Sequence, residues 1–244
     1  PEHTSVMAKK LALLKVGKTS DALARERGDY ERWFREGLGI GDALELVDLT
    51  AGHALPDPNA HDGVVVTGSA AMVTDREPWS VAAAAYLVDA FAREKPILGV
   101  CYGHQLLADA LGGEVDWNPR GRQIGTVLAT LTDEGRADAL LGSLGEPLYV
   151  QTSHKQVVRT LPEGAVRLAS SPLDPNHAFR IGARAWGVQF HPEFDGPIAR
   201  TYVEEREEAI RAEGRDPEAI AAAVIDSPQG RALLQRFAEL ALCP

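Results

Sequence analysis

Cysteine is scarce in this chain. Cys101 and Cys243 are the only two in 244 residues, and a pair so far apart excludes a disulfide-stapled secreted scaffold and suits a reducing, cytoplasmic setting. Basic residues are also outnumbered: 25 Lys and Arg stand against 35 Asp and Glu, for a formal net charge of −10. Nucleic-acid affinity comes largely from cations that neutralise phosphates, so this balance argues against that partner and leaves small molecules or proteins. Long apolar runs are missing. The stretch 81–88 falls well short of the roughly 20 residues that cross a bilayer, and no basic segment precedes an apolar one as in an export signal. Gly17-Lys18-Thr19 matches the end of a phosphate-binding loop, but Ala12 stands where that pattern needs its first glycine, which weighs against ATP. His3, His53, His61 and His177 have no Cys, Asp or Glu at metal-ligand spacing and read as surface histidines; neither a metal nor a cofactor is expected.

With 45% hydrophobic and 25% charged residues, the composition is ordinary for a globular chain, and one domain over residues 1–244 is expected. Short apolar runs bounded by turn residues alternate with helical patterns, the signature of βα units around a mainly parallel central sheet, so the fold class expected is α/β. Strands are predicted at 11–16, 43–49, 63–67 and 97–100, with helical patterns at 21–36, 78–94 and 102–111 between and after them. Further strands are expected near 126–131, 148–152 and 166–169, followed by a hairpin of 177–181 and 185–190 around Gly182. From about 197 to 244 the chain turns charged and helical. This extension has two readings, added helices that cover the site or mediate self-association into a homo-oligomer, and an inert appendage; the run Glu204-Glu205-Arg206-Glu207-Glu208 reads as a solvated helix face.

Two short patterns carry chemistry. Gly99-Val100-Cys101-Tyr102-Gly103 has the layout of a nucleophile elbow, in which a buried strand turns sharply into a helix and flanking glycines let backbones pack closely. Such a placement stabilises a thiolate at a helix N-terminus and aims the Tyr102 N–H at a developing oxyanion. Alone, the pattern leaves an inert buried thiol as an equal reading. The second is Trp186-Gly187-Val188-Gln189-Phe190-His191-Pro192-Glu193, an apolar strand ending in His-Pro-Glu. Side chains two apart on an extended segment project to the same side, and Pro192 biases His191 toward extended geometry, so Glu193 is placed to accept a hydrogen bond from the imidazole. Taken together, Cys101, His191 and Glu193 form a nucleophile, base and orienting acid. The Gly68-Ser69 turn after the 63–67 strand offers backbone N–H groups that would complete an oxyanion hole, or is a simple tight turn. His104 and His154 are rival bases, but neither is followed by a carboxylate two residues on.

Gly99-Val-Cys-Tyr-Gly-His-Gln105 and Gly187-Val-Gln-Phe-His-Pro-Glu193, both intact and in this order, resemble the signatures of class I glutamine amidotransferases, and the chain looks like a stand-alone relative of a GMP-synthase glutaminase domain. The resemblance implies a flavodoxin-like sheet, with Cys101 attacking a γ-carboxamide, His191 transferring the proton and Glu193 orienting it, through a γ-glutamyl thioester. Gly68 and Tyr102 would supply oxyanion N–H groups, and Ser69, Gln105, Ser153 and His154 would line the substrate pocket. For Gln105 the alternative is an ordinary helix-surface amide. Departures bear on the substrate: Gly68-Ser69-Ala70-Ala71 lacks the family's common Gly-Gly-Pro turn, and Lys155-Gln156 follows Ser153-His154 where many members carry Gly-Asp. No synthetase segment is recognisable, so any ammonia acceptor is expected in a separate synthetase partner. Three activities therefore stand: glutamine hydrolysis, γ-glutamyl peptide hydrolysis through the same thioester, and a non-catalytic binding or regulatory role.

Overall fold

The computed structural model describes residues 8–243; positions 1–7, with His3 among them, and 244 lie outside the described residues. The chain runs β1 (Leu11–Lys15), α1 (Asp21–Arg27), α2 (Tyr30–Leu38), β2 (Leu44–Asp48), β3 (Gly63–Val66), α3 (Pro78–Ala92), β4 (Ile97–Val100) and α4 (Tyr102–Ala110). It continues through β5 (Glu114–Trp117), β6 (Gln123–Leu131), α5 (Asp133–Ala137), β7 (Leu148–His154), β8 (Gln156–Thr160), β9 (Val166–Ser171), β10 (Asp174–Ile181) and β11 (Ala185–Val188). Four helices close it: α6 (Gly196–Glu204), α7 (Glu207–Ala212), α8 (Pro217–Ala222) and α9 (Pro228–Leu242).

A nine-stranded sheet of order β2-β1-β3-β4-β11-β10-β9-β6-β7 forms the centre. The strands from β2 to β11 run parallel, and β10, β9, β6 and β7 extend them antiparallel. The inner parallel strands β1, β3, β4 and β11 are buried along their whole length, while the edge strand β2 exposes Glu45; burial on both faces is why the inner strands read as near-continuous apolar runs. Their side chains alternate between two cores: Leu11 and Leu13 join one, Ala12 and Leu14 the other, and Val65 faces opposite to Val64 and Val66. One core is capped by Trp33 and Phe34 of α2, Val203 of α6 and Phe237 of α9. The other is capped by Leu87 of α3 and Leu107 of α4. Each such Leu, Val or Phe contributes about 1.5–3 kcal/mol by leaving water.

Where the structure differs from the sequence expectation, local chemistry explains it. The helix expected over 21–36 is two helices, because Gly28 takes a left-handed φ of 82° and Asp29 then caps α2. Asp29 also holds Lys15 Nζ at 2.8 Å and accepts from the Thr19 N–H at 2.9 Å, tying the α1–α2 break to the end of β1. Strands β5 and β8 were not expected; they pair with each other in a separate two-stranded sheet. Glu114, Asp116 and Trp117 of β5 are exposed, so no apolar pattern announces that strand.

The C-terminal helices are no inert appendage. Trp186 and Phe237 meet edge to face with centroids 6.2 Å apart, and α9 lies so close to α2 that a Cβ on Gly37 would come within 2.4 Å of Leu234 Cδ1. The acidic run also does more than face solvent. It breaks between α6 and α7, and there Glu205 and Arg206 line the principal cavity. No helix among the described residues is long and apolar enough to cross a membrane.

Candidate active site

The site lies at the carboxyl ends of β3, β4 and β11, the usual ligand position of an open α/β sheet. Cys101 follows β4 directly, its N–H bonded to Val188 O at 2.9 Å, and its backbone holds φ 52° and ψ −102°. A side-chain-bearing residue at positive φ is strained. The flanking glycines explain how the turn fits. A Cβ on Gly99 would fall 2.3 Å from Gly103 O, and one on Gly103 would fall 2.6 Å from Val66 O. Tyr102 begins α4, so its N–H belongs to the first-turn donors that have no partner within the helix.

His191 and Glu193 follow β11. The His191 N–H bonds Gln151 O at 2.8 Å, and imidazole Nδ1 lies 2.7 Å from Glu193 Oε1 with both side chains buried. That commitment of Nδ1 leaves Nε2 for the thiol side. Phe194 stacks on the ring at 4.0 Å and 9°, and Tyr30 lies parallel at 6.4 Å and 10°. Burial by itself would lower the imidazole's pKa, but the Glu193 carboxylate and the Cys101 sulfur together push it up to about 10. The same end of the molecule holds Gly68: a Cβ there would lie 3.0 Å from His191 Cε1 and 3.6 Å from Cys101 Cβ, so only glycine leaves the space between the Cys101 and His191 side chains open.

A cavity of about 900 Å³ opens over these groups and is bordered by Cys101, Tyr102, His191, Ser69, Gln105 and Ser153. Cys101 Sγ is 3.8 Å from Ser153 O. Gln105 is no surface amide. It is 4% exposed, with Nε2 donating to Gln156 O at 2.8 Å and Gln189 Oε1 at 3.0 Å, which leaves its own carbonyl oxygen as the group not engaged by those bonds. His154 also borders the cavity, but its ring nitrogens sit 3.0 Å from Gln156 O and 3.1 Å from the Gln123 amide.

Behind the cavity is a buried histidine network. His177, expected at the surface, is fully buried with Nδ1 3.2 Å from Asp174 Oδ2; His61 is buried too, while His53 is exposed. Burial pushes His104 down to about 4 and His154 down to about 3, although Asp174 opposes both shifts. Burial acts to raise Asp174, yet its hydrogen bond from His177 holds the carboxyl below the usual carboxylate range. His154, Asp174 and His177 bring one possible metal-ligand atom each within 4.8 Å of one another; His177 Nδ1 pairs with Asp174 while His154 meets Gln156 O and the Gln123 amide, and His177 Nε2 has no hydrogen-bond partner among the described residues. Burial keeps both His104 and His154 neutral, and the ring nitrogens of His154 are occupied, which leaves His191 as the imidazole suited to proton transfer.

Several cavity residues escaped the sequence reading. Tyr30 and Tyr202 place their hydroxyls 3.1 Å apart beside His191, and burial drives Tyr202 up to about 12. Lys18, Thr19 and Arg206 complete that wall. Lys18 and Thr19 stood out only as the end of an incomplete phosphate-loop pattern, and no local pattern marks Tyr30, Tyr202 or Arg206, since these residues converge only when α2, α6 and the loop after β1 fold together.

Residues 43–207 match the profile of the glutamine amidotransferase class-I family. The chain belongs to that family. It is 36% identical over 132 residues to a GMP synthase [glutamine-hydrolyzing] of Porphyromonas gingivalis, a match covering 54% of this chain and 24% of that protein. It thus spans about a quarter of the length of that relative. Gamma-glutamyl peptidase 3 of Arabidopsis thaliana is 28% identical over 197 residues, covering 78% of this chain and 79% of the relative. Among solved structures, a glutamine amidotransferase of Thermotoga maritima superimposes with a TM-score of 0.75 at 21% identity, over 96% of this chain and 99% of that one, a likeness that shows the fold.

Proposed function

We propose that the chain is a cysteine-dependent amidohydrolase that cleaves γ-glutamyl amides, with Cys101 as nucleophile, His191 as general base and acid, and Glu193 as the group that orients and charges His191. The observation that carries this reading is the 2.7 Å contact of His191 Nδ1 with Glu193 Oε1, on the same cavity as the strained Cys101 elbow.

The chemistry follows in two halves. Cys101 sulfur attacks the γ-carbonyl carbon, and the oxygen gathers negative charge facing the N–H groups of Gly68 and Tyr102. The intermediate collapses as His191 gives its proton to the departing nitrogen, leaving a γ-glutamyl thioester and a free amine, or ammonia when the substrate is glutamine. Water, deprotonated by His191, then attacks the thioester; glutamate leaves and the thiol is restored. The carbonyl of Gln105 and the segments carrying Ser69, Ser153 and His154 hold the glutamyl end. If glutamine is the substrate, the likeness to a GMP synthase supports a synthetase partner chain as the acceptor of the ammonia.

Glutamate release from glutamine and from a γ-glutamyl dipeptide, measured beside Cys101→Ala, tests the proposal. Turnover of either, abolished in the variant, is the expected outcome. Turnover that survives Cys101→Ala at a near-normal rate overturns the assignment.

A further inference from the structure

The direction in which a substrate must lie divides the cavity into two compartments. With the carbonyl oxygen turned toward Gly68 and Tyr102, the departing nitrogen has to face His191, because that imidazole delivers its proton. The glutamyl chain then occupies the opposite side, by Gln105 and Ser153. Whatever is attached to the nitrogen therefore extends past Tyr30 and Tyr202, whose rings lie 6.4 Å from His191, toward the loop after β1 and the α6–α7 junction.

That compartment is built for more than ammonia. The whole cavity, at about 900 Å³, is near the upper end of small-molecule sites, which run to roughly 1,000 Å³, and glutamine alone leaves most of it empty. Its charge is also at odds with that of the chain. In a protein of net charge −10, the leaving-group side presents Lys18 and Arg206 against a single carboxylate, Glu205. Glu205 is already engaged, accepting from the Ser20 hydroxyl and standing 3.7 Å from Arg206. Arg206 lies 4.5 Å over the Tyr202 ring and donates one N–H to Tyr202 O at 3.1 Å, which leaves further donors of its planar fork. On the same wall the Thr19 hydroxyl is buried beside the Tyr202 hydroxyl and makes no well-formed hydrogen bond among the described residues, in a residue only 6% exposed that borders the cavity. A hydroxyl with spare hydrogen-bonding capacity on a wall that carries two cations is an incomplete anion site.

We propose that Lys18, Thr19 and Arg206 form a carboxylate-binding subsite for the leaving group, so that the preferred substrate is a γ-glutamyl amino acid or peptide rather than glutamine. This rests on the hydrolytic reading above. The carboxylate of the departing amino acid accepts from the Thr19 hydroxyl and from the two cations, and its amine receives the proton of His191.

The test compares γ-glutamylglycine with γ-glutamylglycinamide, which differ only in that carboxylate. A charge-assisted contact predicts a roughly tenfold or larger preference in kcat/KM for the acid, falling toward parity in Lys18→Gln and in Lys18→Gln with Arg206→Gln. The ratio between the two substrates is the readout, so a general loss of activity or of folded protein does not imitate the result. Equal kcat/KM values in the native chain, or a preference that persists in both variants, overturn the subsite. If neither compound turns over, protection of Cys101 from alkylation by each compound reads the subsite by itself. Stronger protection by the acid then upholds the subsite while the hydrolytic reading falls, and equal protection overturns the subsite.

Discussion

His191 and His154 border the same cavity and are both buried, yet they titrate in opposite directions, up to about 10 and down to about 3. Burial disfavours the charged imidazole in both cases. The difference lies in what each ring meets. His191 has a carboxylate at 2.7 Å and a sulfur in reach, whereas the ring nitrogens of His154 meet a backbone carbonyl and a neutral amide, and the Asp174 carboxylate is taken by His177 and the Asn176 N–H. One imidazole is held charged and the other neutral between fixed partners. A buried histidine in this fold takes its role from its nearest partner rather than from its depth.

That contrast breaks most sharply on removal of each ring. His191→Gln should cost about 10⁴-fold in kcat, the upper range for proton-transfer catalysis, while His154→Gln should stay within about tenfold of the native rate once folded protein is counted. Steady-state kinetics on the two variants check this, and comparable losses would dissolve the distinction. Glu193→Gln should cost less than loss of His191, about 10²–10³-fold, because orientation is a smaller contribution than proton transfer. It should also shift the pH profile. The raised His191 keeps its proton until the pH passes about 10, so the acid form needed by the leaving group is lost only there, and the variant's high-pH limb should move down toward the ordinary histidine value. A limb that does not move would mean that Glu193 does not charge His191.

Two smaller effects concern stability. Gly103→Ala places a methyl 2.6 Å from Val66 O and should destabilise by about 1–3 kcal/mol, as overpacking does, read as a lower urea midpoint. The network has an acid-side signature. An unfolded histidine gains its proton near 6.5, but the folded chain resists until about 4 at His104 and about 3 at His154. Stability is therefore whole above 6.5 and falls as the pH drops toward those values, by the order of 1–2 kcal/mol per histidine at pH 5. Urea midpoints at pH 7 and pH 5 should show a smaller drop in His154→Gln. His191 carries the opposite sign: its raised pKa stabilises the fold below 6.5, and that contribution is lost as the pH rises through about 10.

The parts legible from the chain alone are those in which local pattern and burial coincide. Runs such as Val64-Val65-Val66 and the glycines about Cys101 announce strands and an elbow, because a strand buried on both faces needs unbroken apolar residues and a tight strand-to-helix turn needs small neighbours. His-Pro-Glu was readable because its two polar side chains are only two residues apart, although the segment after β11 closes in a turn, with the Phe194 N–H on His191 O at 3.3 Å, rather than running extended. The break at Gly28-Asp29 was missed because an amphipathic pattern runs across it, and only the tie from Asp29 to Lys15 and Thr19 makes the interruption favourable. His177 looked like a surface residue because it stands at the start of the expected strand 177–181, whereas β10 begins three residues earlier, at Asp174, and runs inside the sheet between β11 and β9.

The sequence by itself determined the chemical kinds at the centre: a thiol on an elbow, an imidazole and a carboxylate two residues apart, and a parallel sheet to carry them. Only the tertiary structure decided which histidine is charged and which neutral, and what surrounds the substrate. Tyr30, Lys18 and Arg206 come from separate elements, α2, the loop after β1 and the α6–α7 junction, so their convergence is a property of packing. Electrostatics acts through space, and a residue's pKa and its place in a cavity depend on neighbours that the order of the chain keeps far apart.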